Sequence, residues 1–153
     1  MVVMLKLIIC MLFFSYLFSE CEFNITLVFS IEPMNEMGVV SGPAPVFTLK
    51  GGEYTGECEN TYSVSTNEEN KKILAYLDQD MPLHTYLTVR LSPPDGAKST
   101  GWQTLSTTPV DLVIEISRTH AENLPMLYRL SAEREAGVVS TTTRIVTFTM
   151  TDN

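Results

Sequence analysis

Histidine, cysteine and tryptophan are scarce in this chain of 153 residues, which has two histidines, three cysteines and one tryptophan. His84 is expected at the start of a strand and His120 in a polar loop, and no nucleophile motif accompanies either of them. Cys21 and Cys58 have no histidine near them in the sequence and do not make a metal site. Gly51-Gly52 is expected in a turn rather than in a phosphate-binding loop. The single tryptophan, Trp102, is expected in the core or at a sheet edge rather than in a ligand site. We therefore expect no catalytic function, no metal and no cofactor.

A surplus of basic residues is also absent. The formal net charge is −8, and it stays at −8 when Lys6 and Glu20 are both removed. An acidic surface repels nucleic acid and anionic lipid, so we expect neither of them as a partner.

The chain has no apolar run long enough for a membrane span. Lys6 precedes an apolar stretch from Leu7 to Phe18, which is shorter than the roughly 20 residues that cross a bilayer. This pattern favours a cleaved signal peptide over residues 1–21, and a transmembrane anchor is the weaker alternative. Cleavage after Cys21 places Ser19 at position −3, whereas cleavage after Ser19 places Leu17 there. The sequence predicts secretion to the cell surface, with no stable membrane insertion once the signal is removed.

The position of the cleavage site decides the fate of the cysteines. Cys10 leaves with the signal peptide. If cleavage precedes Cys21, then Cys21 and Cys58 can pair in an oxidising compartment. If cleavage follows Cys21, Cys58 is left alone, and both outcomes stay open.

Residues 22–153 are expected to form one domain, because this length supports a single core. Short segments of alternating polar and apolar residues are separated by turns, with one helical turn expected at 121–124 or 133–137. The predicted strands are 46–49, 62–65, 72–77, 85–91, 110–117, 124–132 and 144–151. Evenly spaced short strands are typical of an all-β antiparallel sandwich of about seven strands, and a closed barrel is the alternative.

A further strand is predicted directly behind the signal peptide. Five apolar side chains share one of its faces: Phe23, Ile25, Leu27, Phe29 and Ile31. The other face carries Asn24, Thr26, Ser30 and Glu32, with Val28 as the one exception. Such a face needs a partner groove, and a chain terminus is usually loose unless it is docked. The sequence leaves open whether this strand docks into its own domain or into a neighbouring subunit.

The order of the motifs resembles a known protein family. The N-terminal strand opens with Asn24-Ile25-Thr26 and ends with Ser30-Ile31-Glu32-Pro33. Three further blocks follow in order: Ser65-Thr66-Asn67-Glu68-Glu69-Asn70-Lys71-Lys72-Ile73 with Leu77-Asp78, then Leu105-Ser106-Thr107-Thr108, then Ile145-Val146-Thr147-Phe148-Thr149-Met150-Thr151. In this order, the blocks resemble the major pilins of the colonization-factor-antigen type of chaperone–usher fimbriae.

The resemblance implies an immunoglobulin-like sandwich that lacks its final strand and receives a donor strand from the next subunit. The apolar residues Phe23, Ile25, Leu27, Phe29 and Ile31 are then the donor positions. Val146, Phe148 and Met150 border the groove that receives them. The implied partners are head-to-tail copies of the same chain, a periplasmic chaperone and an outer-membrane usher. The implied role is a structural subunit of a fimbrial homopolymer that serves cell adhesion.

Two other functions remain as alternatives to a fibre subunit. A free-standing secreted immunoglobulin-like module that binds a protein or a glycan would pair the N-terminal strand within its own sheet. A small enzyme would require a convergent polar pocket, for which the sequence offers no motif.

Overall fold

A computed structural model describes residues 30–41, 45–50 and 54–153. The chain divides into two compact units, Met1–Ile31 and Glu32–Asn153. The β-structure described below belongs to the second unit. Of the first unit, only Ser30 and Ile31 are among the described residues.

Nine strands and one short 3-10 helix make up the regular structure of the described ranges. The strands are β1 (Asn35–Ser41), β2 (Thr55–Thr66), β3 (Lys71–Leu77), β4 (Thr85–Leu91), β5 (Lys98–Ser99), β6 (Gln103–Thr104), β7 (Val110–Ile116), β8 (Thr119–Ala132) and β9 (Val146–Asp152). The 3-10 helix spans Arg134–Ala136, inside the segment where a helical turn was one of two expectations. The prediction of an all-β fold is confirmed.

The strands form two sheets, in which all pairs are antiparallel. The first sheet has five strands in the order β1-β2-β8-β4-β6, and the second has four in the order β5-β7-β3-β9. Both sheets contribute buried side chains to one core, which confirms the predicted antiparallel β-sandwich.

The core follows from the alternation of side chains along the strands. In β4, Thr85, Leu87, Val89 and Leu91 are buried, whereas Tyr86 and Arg90 are exposed. The buried apolar residues are Tyr62, Val64, Ile73, Ala75, Leu77, Leu87, Val89, Leu91, Leu105, Leu112, Val113, Ile116, Met126 and Tyr128. The sequence pattern of 124–132 agrees with the burial of Met126 and Tyr128.

One predicted strand was wrong, and several strands were missed. Residues 46–49 form no strand, although Phe47 and Leu49 do alternate with exposed neighbours and lie over Gly56 of β2. Pro43 and Pro45 cannot donate hydrogen bonds, which disfavours ladder pairing around this segment. Conversely, β1, β5 and β6 were not predicted. Of the two segments in which a helical turn was expected, 121–124 belongs to β8 and 133–137 contains the 3-10 helix.

Candidate functional site

The described part of the second sheet ends at β9. This strand pairs with β3 in an uninterrupted register from Lys71↔Asp152 to Leu77↔Val146. In the same way, the described part of the first sheet ends at β1, which pairs with β2 and with no other described strand. These two edge strands lie near each other, and no described strand pairs with the outer edge of either. Because an antiparallel strand points alternate backbone groups to either side, β9 has N–H and C=O groups directed away from β3.

Side-chain burial across the β3–β9 pair shows where the core ends. On β3, Ile73 and Ala75 are each 0% exposed and Leu77 is 1% exposed. Their register partners on β9, in the same order, are Met150, Phe148 and Val146, which pack against the core but stay only half-buried. Three fully covered residues therefore face three incompletely covered ones across a single strand pair.

Strand β1 borders the same space from the first sheet. Met37 packs against the core and is half-buried, whereas its register partner Val64 on β2 is 1% exposed. We call the space between the two edge strands, bordered by Met37, Val146, Phe148 and Met150, the edge groove. Met37 was missed from the sequence, because the only signal for it was a strand containing asparagine, glutamate and glycine.

The turn between β2 and β3 holds the chain at one end of the edge groove. Asn67 makes three hydrogen bonds to the segment before β1: its backbone N–H donates to the Met34 carbonyl at 3.3 Å, its Oδ1 accepts from the Met34 N–H at 2.8 Å, and its Nδ2 donates to the Glu32 carbonyl at 2.8 Å. Asn70 accepts from the Asn153 backbone N–H at 2.9 Å, just beyond β9. This one turn therefore anchors both the start of β1 and the end of β9.

A polar cluster lies at the same end of the groove. The Lys71 ammonium lies 2.7 Å from Glu68 Oε2 and 2.5 Å from Asp152 Oδ1. Glu68 Oε2 also accepts a short hydrogen bond from Asn35 Nδ2, and Asn35 Oδ1 accepts from the Thr66 hydroxyl at 2.7 Å. We call Asn35, Glu68, Lys71 and Asp152 the Lys71 cluster.

The cluster favours the charged forms of its two central groups. Hydrogen bonds from Asn35 and then Lys71 lower the pKa of the Glu68 carboxyl. Hydrogen bonds to Asp152 and then Glu68 raise the pKa of the Lys71 ammonium. The side chain of Lys71 is only 10% exposed, so its charge depends on these two carboxylates.

The predicted site residues are only partly within the described ranges. Phe23, Ile25, Leu27, Phe29 and Cys21 lie outside them. Ile31 is described and is 78% exposed. The structure places Val146, Phe148 and Met150 together on the core-facing side of one edge strand.

Cys58 lies half-buried on β2, opposite Tyr128 of β8. It forms no disulfide with any residue that the structure describes. The pairing of Cys21 with Cys58 stays a prediction.

The remaining candidates are dispersed over the surface. His84 Nδ1 lies 2.9 Å from Glu133 Oε2. The exposed His120 lies in β8, opposite Ser65 of β2, and not in the polar loop that the sequence predicted. The Trp102 ring is half-buried and has the guanidinium of Arg129 at 4.2 Å and that of Arg90 at 5.1 Å.

Neither a metal-type donor set nor a membrane-spanning helix is found in the described ranges. No three His, Cys, Asp or Glu side chains come together there in a way that could hold a metal ion. The same ranges contain no helix with the length and hydropathy needed to span a membrane.

No protein-family model and no curated protein matches this chain.

Proposed function

We propose that this protein is a structural subunit of a secreted bacterial surface fibre. Its N-terminal segment, residues 23–31, inserts into the edge groove of a neighbouring copy. The observation that carries this proposal is the half-buried row Val146, Phe148 and Met150, which lies on an edge strand beside a second edge strand from the other sheet.

The chemistry of the N-terminal segment suits such a groove. Its apolar face, from Phe23 to Ile31, supplies side chains in the period-two spacing that a sheet edge accepts. Main-chain hydrogen bonds to the edge of β9 supply further affinity. Burying one large apolar side chain stabilises by roughly 1.5–3 kcal/mol, so five give on the order of 10 kcal/mol before the cost of ordering the segment.

In the proposed contact, a segment of one copy binds the edge groove of another copy. Asn67 holds Glu32 and Met34, which follow this segment in the sequence, at one end of the sandwich. A contact in which one surface of each copy binds a different surface of the next is heterologous, and it produces an open filament unless its rotation closes a ring. The proposed partners are therefore copies of the same chain, and the resemblance to fimbrial pilins adds a periplasmic chaperone and an outer-membrane usher.

Point substitutions on the two faces of the segment test the proposal in the full chain. Leu27→Asp places a charge on the apolar face, whereas Thr26→Asp places the same charge on the polar face of the adjacent position. Both variants are expressed with the parent chain in a bacterial periplasm and run without heating on an SDS gel. We expect the parent and Thr26→Asp to give a ladder of oligomers, and Leu27→Asp to lose it.

Equal ladders from Leu27→Asp and Thr26→Asp would contradict the insertion of the apolar face. A parent chain that stays monomeric at all concentrations would contradict the fibre subunit and favour the free-standing binding module.

A further inference from the structure

The Lys71 cluster joins the two strands that border the edge groove. Asn35 belongs to β1, Glu68 to the turn, Lys71 to β3 and Asp152 to β9. Each contacts the next, so polar contacts run continuously from the edge of one sheet to the edge of the other. The β1 and β9 strands belong to different sheets and share no ladder, so these side chains connect them at this end.

We propose that the Lys71 cluster closes one end of the edge groove and fixes the register at which an inserted strand stops. This inference rests on the proposed function and adds a specific role for Lys71 as a positioning residue. It also assigns a role to the block around Thr66–Lys71, which the sequence singled out without a function.

Spacing supports the role of a stop. A strand inserted between β1 and β9 lies about 4.8 Å from each neighbouring strand, so it needs the full interval between them. At this end the side chains of Glu68 and Lys71 lie in the chain of contacts between Asn35 and Asp152. A strand can advance past this point only if those contacts break.

Charge makes such an advance unfavourable. The Lys71 side chain is 10% exposed and has a carboxylate within 2.7 Å and another within 2.5 Å. The apolar face of residues 23–31 offers no anion to replace them. Displacing the carboxylates would leave an unpaired ammonium in a largely buried position, which is costly.

Disulfide trapping in the full chain measures the register. Cys21 and Cys58 are first replaced by serine. Thr26→Cys, on the polar face of the N-terminal segment, is then combined in turn with Thr147→Cys, Thr149→Cys or Thr151→Cys on the matching face of β9. After oxidation, covalent links between chains are read as a ladder on a heated, non-reducing gel.

Lys71→Met opens the cluster while keeping the apolar part of the side chain. Lys72→Met is the matched control, because Lys72 pairs instead with Asp111 of β7 at 3.3 Å and is no member of the cluster. We expect one of the three β9 positions to dominate the links between chains in the parent and in Lys72→Met. In Lys71→Met we expect the links to spread over two or three positions, with the dominant one reduced at least twofold.

Asp152→Asn provides a second opening of the cluster that does not depend on replacing Lys71. The Asp152 side chain is 85% exposed, so its substitution should leave folding intact even if Lys71→Met does not fold. We expect Asp152→Asn, like Lys71→Met, to spread the links between chains over two or three of the β9 positions.

The pattern of links between chains can support the stop, overturn the stop alone, or overturn the proposed function as well. Broadened links in Lys71→Met or in Asp152→Asn, with Lys72→Met unchanged, support the stop. One dominant position that is the same in all variants overturns the stop and leaves the proposed function standing. No link between chains at any position in the parent overturns the proposed function, and the inference with it.

Discussion

Two tyrosines carry their hydroxyl groups into the core, and their hydrogen-bond partners differ. Tyr62 is 0% exposed, and its hydroxyl donates to the backbone carbonyl of Ser92 at 2.6 Å. Tyr128 is 5% exposed, and its hydroxyl lies 3.3 Å from the Met126 sulfur, a weak acceptor. Burial raises the pKa of Tyr62, and burial with a smaller contribution from Cys58 raises the pKa of Tyr128 to about 12. Both hydroxyls therefore remain protonated donors at neutral pH.

Removing the two hydroxyls should have unequal effects on stability. Tyr62→Phe leaves the Ser92 carbonyl without this donor and should lower the free energy of unfolding by about 1–2 kcal/mol. Tyr128→Phe, the matched control, gives up only a weak bond to sulfur and should change it by less than about 0.5 kcal/mol. Urea unfolding of both variants measures the difference, and equal losses would contradict the assigned role of the Ser92 bond.

Among the strands, those with strict alternation were the ones that the sequence predicted best. The prediction of 85–91 matches β4 residue for residue, because apolar and polar positions alternate without a break. In β8 the alternation breaks at Asn123, which has a positive φ of 56° between the register pairs Tyr62↔Leu124 and Val64↔Ala121. Because the extra residue of such a bulge shifts the alternation of side chains, residues before it do not continue the pattern of 124–132, and only 124–132 was predicted as a strand.

Other strands depend on pairing that a local pattern does not contain. The β1 strand has Asn35, Glu36 and Gly38, which are disfavoured in strands, yet it pairs along the outer edge of β2. Residues 46–49 have the alternation of a strand and pair with none of the described strands. The row Val146, Phe148 and Met150 was predictable from its spacing, whereas its half-burial beside β1 depends on the tertiary fold.

The β9 strand should tolerate a charge on its outer face and not on its groove face. Met150→Lys places an ammonium in the edge groove, whereas Thr149→Lys places one on the exposed face of the same strand. We expect Met150→Lys to abolish the unheated ladder on an SDS gel, because the incoming apolar face cannot pair with the charge. Thr149→Lys should keep it.

Thermal unfolding of both monomers separates assembly from folding in this comparison. A folded Met150→Lys chain that still forms the ladder would show that the groove face of β9 takes no part in assembly.

For the whole molecule, the sequence could predict the class of fold more readily than the order of strands within each sheet. Spaced short strands were enough to predict an antiparallel sandwich of about the right size. That the described sheets end at β1 and β9, side by side, follows from the order of strands within each sheet, which no local pattern specifies. The Lys71 cluster joins residues from four separate segments and is likewise a product of the topology.

In the fibre that we propose, residues 23–31 of one copy pair with the edge of β9 in the next copy. Repetition of that contact gives a filament of indefinite length, whose strength lies in one inserted strand per joint. In this account the acidic surface serves solubility rather than recognition.

Insertion of the N-terminal segment into a neighbouring copy is tested most directly by deleting this segment and then adding it as a separate peptide. The chain from Cys21 and a version lacking Phe23–Ile31 are expressed in a bacterial periplasm and run unheated on an SDS gel, with and without a synthetic peptide of residues 23–31. We expect a ladder from the intact chain, loss of the ladder on truncation, and a stable monomer when the peptide is added to the truncated chain. An intact chain that is a well-folded monomer at every concentration would contradict strand insertion between copies. It would indicate instead that residues 23–31 pair within their own domain.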